Sequence, residues 1–101
     1  MYGTIARLQL KPGFKEQLIK VTTEDNSAVI PGWVADYFFQ SDSDPNECYL
    51  VAFFLDQESY TANADSPAQH ERYLKLRACL ESDPEWHDGQ VICSTGPGAA
   101  R

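Results

Sequence analysis

Basic residues are scarce in this chain. Eight Lys and Arg stand against fifteen Asp and Glu, a formal charge of −7 over 101 residues. A surface of that sign repels phosphate backbones and anionic headgroups, which argues against nucleic-acid and membrane-surface roles. Long apolar runs are missing too: none approaches the roughly 18 residues that a membrane span needs. The N-terminus leads straight into strand-like sequence, without the charged-then-apolar pattern of a signal peptide, and a cytoplasmic location is expected. Cysteine is limited to Cys48, Cys79 and Cys93. An odd, widely spaced set without a C-x-x-C or Cys/His cluster supports neither a zinc site nor a disulfide framework, and each is expected to serve as a small apolar side chain. No Walker loop, dinucleotide glycine pattern or G-x-S-x-G elbow occurs. No metal and no cofactor are therefore expected.

What is present is aromatic and apolar sequence at a level that folds, in a length suited to one domain. The richest stretch is Trp33–Leu55, which reads as strands Trp33–Gln40 and Cys48–Leu55 around a polar turn, Ser41–Glu47. The turn imitates the start of a calcium loop but lacks the sixth-position glycine and has Phe53 where the bidentate glutamate belongs. In the second arm, residues at odd and even positions are both apolar. Successive side chains point to opposite faces, so both faces require cover.

Tyr2–Leu10 alternates as a first strand, with Tyr2, Thr4, Ala6, Leu8 and Leu10 on one face and Ile5, Arg7 and Gln9 on the other. Lys11-Pro12-Gly13 breaks it. Phe14, Leu18 and Val21 then fall at helical spacing, in a helix expected to fade near Asp25-Asn26-Ser27. Ile30-Pro31-Gly32 turns the chain into the hairpin. Asp56 can cap a short helical turn to about Ala62, and Ser66-Pro67-Ala68-Gln69 opens a longer helix with an N-cap serine and a proline at its first position. Gln69, Tyr73, Leu76 and Leu80 are expected on one side of it, and Ser82-Asp83-Pro84 to close it. Glu85–Ser94 reads as a last strand, and residues 96–101 as a mobile tail beyond a single domain of residues 1–95. The order is βαββαβ, an α+β ferredoxin-like arrangement with an antiparallel sheet. Two helices cover one sheet face. The other, expected to include Phe38 and alternate members of Tyr49–Leu55, would be covered by a second copy in a homodimer.

Several segments resemble a known family: Arg7-Leu8-Gln9-Leu10-Lys11-Pro12-Gly13, Val51–Leu55 followed by Asp56-Gln57-Glu58-Ser59-Tyr60, and Ser66-Pro67. Together they are similar to antibiotic-biosynthesis-monooxygenase-type domains of the dimeric α/β-barrel superfamily. The resemblance implies a homodimer with a pocket between the helices and one sheet face of each subunit. It also implies a family that includes cofactor-independent quinone-forming monooxygenases and haem-degrading enzymes. Those enzymes are similar in carrying an asparagine just before the Arg-Leu pair, where this chain has Ala6. The haem-degrading tryptophan has Asn63 in its place, and the nearest match to the haem-ligating histidine is Tyr73, with His70 one turn earlier.

Candidate chemistry follows from these positions. His70, on the edge of the helix stripe, suits a general base, its pKa lying naturally near working pH; the alternative is a helix histidine with no task. His70-Glu71-Arg72-Tyr73-Leu74 begins like H-E-x-x-H but lacks the second histidine, so it makes no metal site. Asn63 could orient a carbonyl or stabilise an enolate, with Tyr60 beside it at a pocket mouth. Trp33, Ala35, Tyr37 and Phe39 share a strand parity. They form either an aromatic slot for a flat apolar ligand or plain core, with Tyr73 as a further binding residue. Trp86 and His87 are expected against the partner subunit. The leading expectation is a cofactor-independent monooxygenase-like protein with a small aromatic or apolar ligand. A non-catalytic binder or stress-related dimer, and a purely structural dimer module, are the alternatives.

Overall fold

The computed structural model describes residues 1–24 and 29–98. Four strands and three helices follow in the order β1 (Tyr2–Gln9), α1 (Lys15–Thr23), β2 (Trp33–Gln40), β3 (Glu47–Phe54), α2 (Gln57–Ala64), α3 (Pro67–Arg77) and β4 (Glu85–Gln90). The strands form one antiparallel sheet in the order β2-β3-β1-β4, which is the ferredoxin-like arrangement.

Local chemistry accounts for the element boundaries. The Asp56 side chain accepts the Ser59 N–H at 2.8 Å and starts α2; Ser66 Oγ accepts the Gln69 N–H at 3.1 Å and starts α3. Gly32, at φ +78°, completes the turn closed by Trp33 N–H donating to Ile30 O at 3.1 Å. That φ suits glycine, and a Cβ there would collide with the Ser59 side chain. The expected fade of α1 near Asp25-Asn26-Ser27 lies outside the described residues.

The core lies between sheet and helices. Ala6, Leu8 and Leu10 from β1 and its extension, Cys48, Leu50 and Ala52 from β3, Leu18 from α1 and Leu76, Cys79 and Leu80 form one buried cluster. Phe14, Val21 and Phe38 pack against it. The β1 faces are those the alternation predicts: Thr4, Ala6 and Leu8 are buried, whereas Ile5 is exposed.

Four expectations need correction. The helix α3 ends at Arg77, not at Ser82-Asp83-Pro84. Arg77 bonds Leu80 O and Asp83 at 2.8 Å each, and Leu80 leaves the helix to bridge Leu10 across the end of β1. Strand β4 stops at Gln90, so Cys93 is exposed instead of buried with Cys48 and Cys79.

The larger correction concerns β2. Phe38 pairs with Leu50 and Asp36 with Ala52, so Asp36 and Phe38 face the helices, and Tyr37 and Phe39 face the open side. Tyr37 and Phe39 are accordingly exposed, and Phe38 does not lie on the open face. A β-bulge between Trp33 and Ala35 returns Trp33, opposite Phe54, to the helix side. Trp86 and His87 also separate: Trp86 pairs with Ala6 on the helix side, His87 with Ile5 on the open side.

Candidate functional site

One row of paired residues crosses the sheet on its helix side: Asp36, Ala52, Thr4 and Asp88. Its two central members are small and its two ends are carboxylates. The small side chains leave space beneath α2 and α3. The result is a half-open cavity of about 530 Å³, walled by Trp33, Tyr60, Tyr73, Trp86 and Leu50.

Each carboxylate has an aromatic donor. The Trp33 indole N–H donates to Asp36 Oδ1 at 3.0 Å, which the bulge permits by placing both residues on one face. The Tyr60 hydroxyl donates to Asp88 Oδ1 at 2.9 Å, and its ring makes edge contacts with Tyr2 and Phe54. Burial and the adjacent Asp88 push the Tyr60 phenol up to about 12, which keeps it a donor at neutral pH. Withdrawal from water pushes the Asp36 carboxyl above its ordinary range, and the Trp33 hydrogen bond and Arg72 charge oppose it. Asp36 still meets water through the cavity mouth, so its desolvation is partial. The Thr4 hydroxyl is buried without a partner at hydrogen-bonding geometry, although it acts on the Tyr60 oxygen in the opposite sense to burial.

A second polar group caps the cavity from α2 and α3. Arg72 donates through Nε to Gln69 Oε1 at 3.1 Å and through Nη2 to Asn63 Oδ1 at 3.3 Å; Asn63 Nδ2 donates to the same Gln69 oxygen at 3.3 Å. Gln69 thus does not close a capping box onto Ser66, whose N–H donates instead to Asn63 O. The triangle holds the Arg72 guanidinium at the cavity wall.

Of the residues singled out by sequence, Trp33, Tyr60, Asn63, His70 and Tyr73 all line the cavity. His70 is exposed; its backbone N–H donates to Ser66 O at 3.2 Å, and its ring has no hydrogen-bond partner among the described residues. Tyr37 and Phe39 stand on the other sheet face and do not reach the cavity. Sequence reasoning missed Asp36, Arg72 and the Thr4–Asp88 row. One signal was available for Asp36: it is the one charged residue in the aromatic strand Trp33–Gln40. Arg72 carried no comparable signal, because arginine on a helix is ordinary. Among the described residues, no three His, Cys, Asp or Glu side chains converge as a metal-ligand set. None of the helices described is long and apolar enough to cross a membrane.

The family model for antibiotic biosynthesis monooxygenases matches residues 1–73. The chain belongs to that family. Solved structures agree on the fold. A candidate antibiotic biosynthesis monooxygenase from Chloroflexus aurantiacus J-10-fl is 24% identical over 96% of this chain and 98% of its own, with a TM-score of 0.75. SnoaB, a cofactor-independent oxygenase from Streptomyces nogalater, is 17% identical in a mutant form, over 95% of this chain and 96% of its own, with a TM-score of 0.78. A conserved protein from Methanosarcina mazei Go1 is 16% identical over 88% of this chain and 90% of its own, with a TM-score of 0.76. No curated protein sequence matches the chain. In this antibiotic biosynthesis monooxygenase-family chain the cavity carries the Asp36–Trp33 and Tyr60–Asp88 hydrogen bonds.

Proposed function

We propose that this chain is a monooxygenase-type enzyme that oxidises a small, flat aromatic or otherwise apolar molecule without an added cofactor. The carrying observation is the cavity. Its volume of about 530 Å³ lies within the roughly 300–1,000 Å³ usual for small-molecule sites. Aromatic walls and a few convergent polar groups complete the kind of lining such sites have. The description of SnoaB as a cofactor-independent oxygenase supports the reading by family analogy.

In this reading the ionised substrate itself delivers electrons to dioxygen. Asn63 and Arg72 face a substrate oxygen, Trp33, Tyr60 and Tyr73 hold the ring, and His70 exchanges protons with solvent at the rim. Oxygen uptake should follow addition of a hydroxyanthrone to the purified protein in the presence of chelator and without flavin. No uptake above the uncatalysed rate would reject the reading.

The same proposal includes a homodimer formed through the open sheet face. Ile5, Tyr37 and Phe39 are exposed there beside half-buried Tyr49, Val51 and Phe53, an apolar patch unusual for a monomer. Light scattering should give twice the chain mass at micromolar concentration, and Tyr37→Asp with Phe39→Asp should give the single mass. A wild-type chain of single mass would remove this part.

A second reading, a non-catalytic binder, is favoured by one observation. Ala6 is fully buried in the core and gives the cavity no polar group. Ligand binding without oxygen uptake would select it.

A further inference from the structure

Strand β2 is aromatic and apolar except for Asp36 and its final glutamine, and the sheet pairing turns Asp36 toward the cavity. The residue stays exposed to solvent at the cavity mouth, and partial withdrawal of its carboxyl from water favours the protonated form. Its surroundings are specific. Oδ1 is fixed by the Trp33 indole at 3.0 Å, and no donor among the described residues engages Oδ2. The Arg72 guanidinium acts on it electrostatically, yet no ion pair among the described residues joins the two. The neighbouring floor positions, Ala52 and Thr4, are small enough to let a flat ring lie beside the carboxylate.

We infer that Asp36 is the proton acceptor of this cavity, its free Oδ2 taking the proton from an ionisable hydroxyl or enol of a flat aromatic ligand on the Ala52–Thr4 floor. The assignment rests on the oxygenase reading for the use made of the ionised ligand, but not for the contact itself. In the step, the ligand O–H bond breaks, the proton moves to Oδ2, and the bonding electron pair stays on the ligand oxygen. Asp36 becomes neutral as the ligand becomes an aryloxide or enolate, so the net charge of the cavity is unchanged. Arg72 then faces the new oxyanion in place of the carboxylate. His70 is less suited to the role, since nothing among the described residues orients its ring. Asp88 lies across the floor on strand β4 and already receives the Tyr60 hydroxyl.

The test is Asp36→Asn, which retains an oxygen for the Trp33 N–H but cannot accept a proton, with thermal unfolding as the folding control. Two binding probes read the contact without turnover. The neutral donor 2-naphthol should bind the wild type more tightly than anionic 2-naphthoate, and Asp36→Asn should reverse that order. With a hydroxyanthrone, Asp36→Asn should lower kcat by about 100-fold or more, the lower end of general-base effects, with a smaller change in KM. The acid limb of the kcat profile should vanish, and Asp36→Glu should restore part of the rate. The other titratable groups facing the cavity, Tyr60, His70, Arg72, Tyr73 and Asp88, are unchanged in these variants. An unaltered naphthol preference in Asp36→Asn would overturn the assignment whatever the turnover, as would a kcat near the wild-type value. A reversed preference in a protein with no oxygen uptake would support Asp36 as acceptor and reject the oxygenase reading alone.

Discussion

The layer between the helices and the sheet has a filled end and a hollow end, built from the same strands. At the filled end Leu8, Leu10, Leu18, Cys79 and Leu80 close over the sheet, and Leu8 and Leu80 are wholly buried. Four residues further back along β1, and across to β3, the floor is Thr4 and Ala52, and no aliphatic side chain larger than alanine descends from α2 or the start of α3 to fill the gap. There the helices contribute Tyr60, Asn63, Gln69 and Arg72, side chains that bond to one another or to the sheet edge. The difference separates stability from chemistry. Dispersion and apolar burial concentrate where aliphatic side chains meet, while the polar and aromatic end keeps room for a ligand.

Substitutions at the two ends should therefore behave differently. The largest effect is expected from Leu8→Ala, which empties a fully buried site and should lower unfolding free energy by about 2–5 kcal/mol in urea titration. A loss below about 1 kcal/mol would mean that the filled end is looser than its burial implies. A matched pair sharpens the contrast. Ala6→Leu adds volume to a packed site and should cost about 1–3 kcal/mol. Ala52→Leu extends into the cavity and should cost less than about 1 kcal/mol, while abolishing 2-naphthol binding. Equal costs, or retained binding in Ala52→Leu, would break the comparison.

The caps of the helices over the hollow end come next. Ser66→Ala removes the acceptor for the Gln69 N–H and should cost about 1 kcal/mol. Because α3 carries Arg72 and Tyr73, ligand affinity should fall along with stability.

The smallest effects concern pH, and two aspartates should show opposite signs. The Ser59 backbone N–H, followed by the Ser59 side chain, holds the Asp56 carboxyl below its ordinary value. Its stabilising contribution is full above the unfolded-state pKa and is lost as pH falls through the lower folded-state value. Asp36 is raised, so the folded state holds its proton more firmly; stability declines as pH rises from the unfolded to the folded value, and a constant penalty remains above it. Melting curves across the acid range should thus show Asp56→Asn losing stability at neutral pH, and Asp36→Asn holding or gaining it. A neutral-pH loss in Asp36→Asn would contradict the desolvation assigned to that carboxylate.

The first strand, the two capped helices and the element order were legible from the sequence because local chemistry fixes them. Ser66 and Asp56 cap wherever their neighbours can turn helical, and β1 has one polar and one apolar face. The hairpin was legible only as a hairpin. With Val34, Phe38 and Ala35, Tyr37, Phe39 on opposite parities, both faces of β2 look apolar, and the expected slot of Trp33, Tyr37 and Phe39 dissolved on pairing. Trp33, Tyr60, Asn63, His70 and Tyr73 do meet at one cavity, since four of them follow from the helix positions above the sheet.

The sequence alone determined an α+β chain of this order, through periodicity, caps and turn residues that act within a few positions of one another, and the resemblance of a few segments pointed to the family. Which face of β2 the helices cover was decided only in the tertiary structure. A period of two fixes alternation but not its phase when both faces are apolar, and pairing to β3, with one bulge beside Trp33, sets that phase. That choice puts Asp36 in the cavity and leaves Tyr37 and Phe39 on the open face of the sheet.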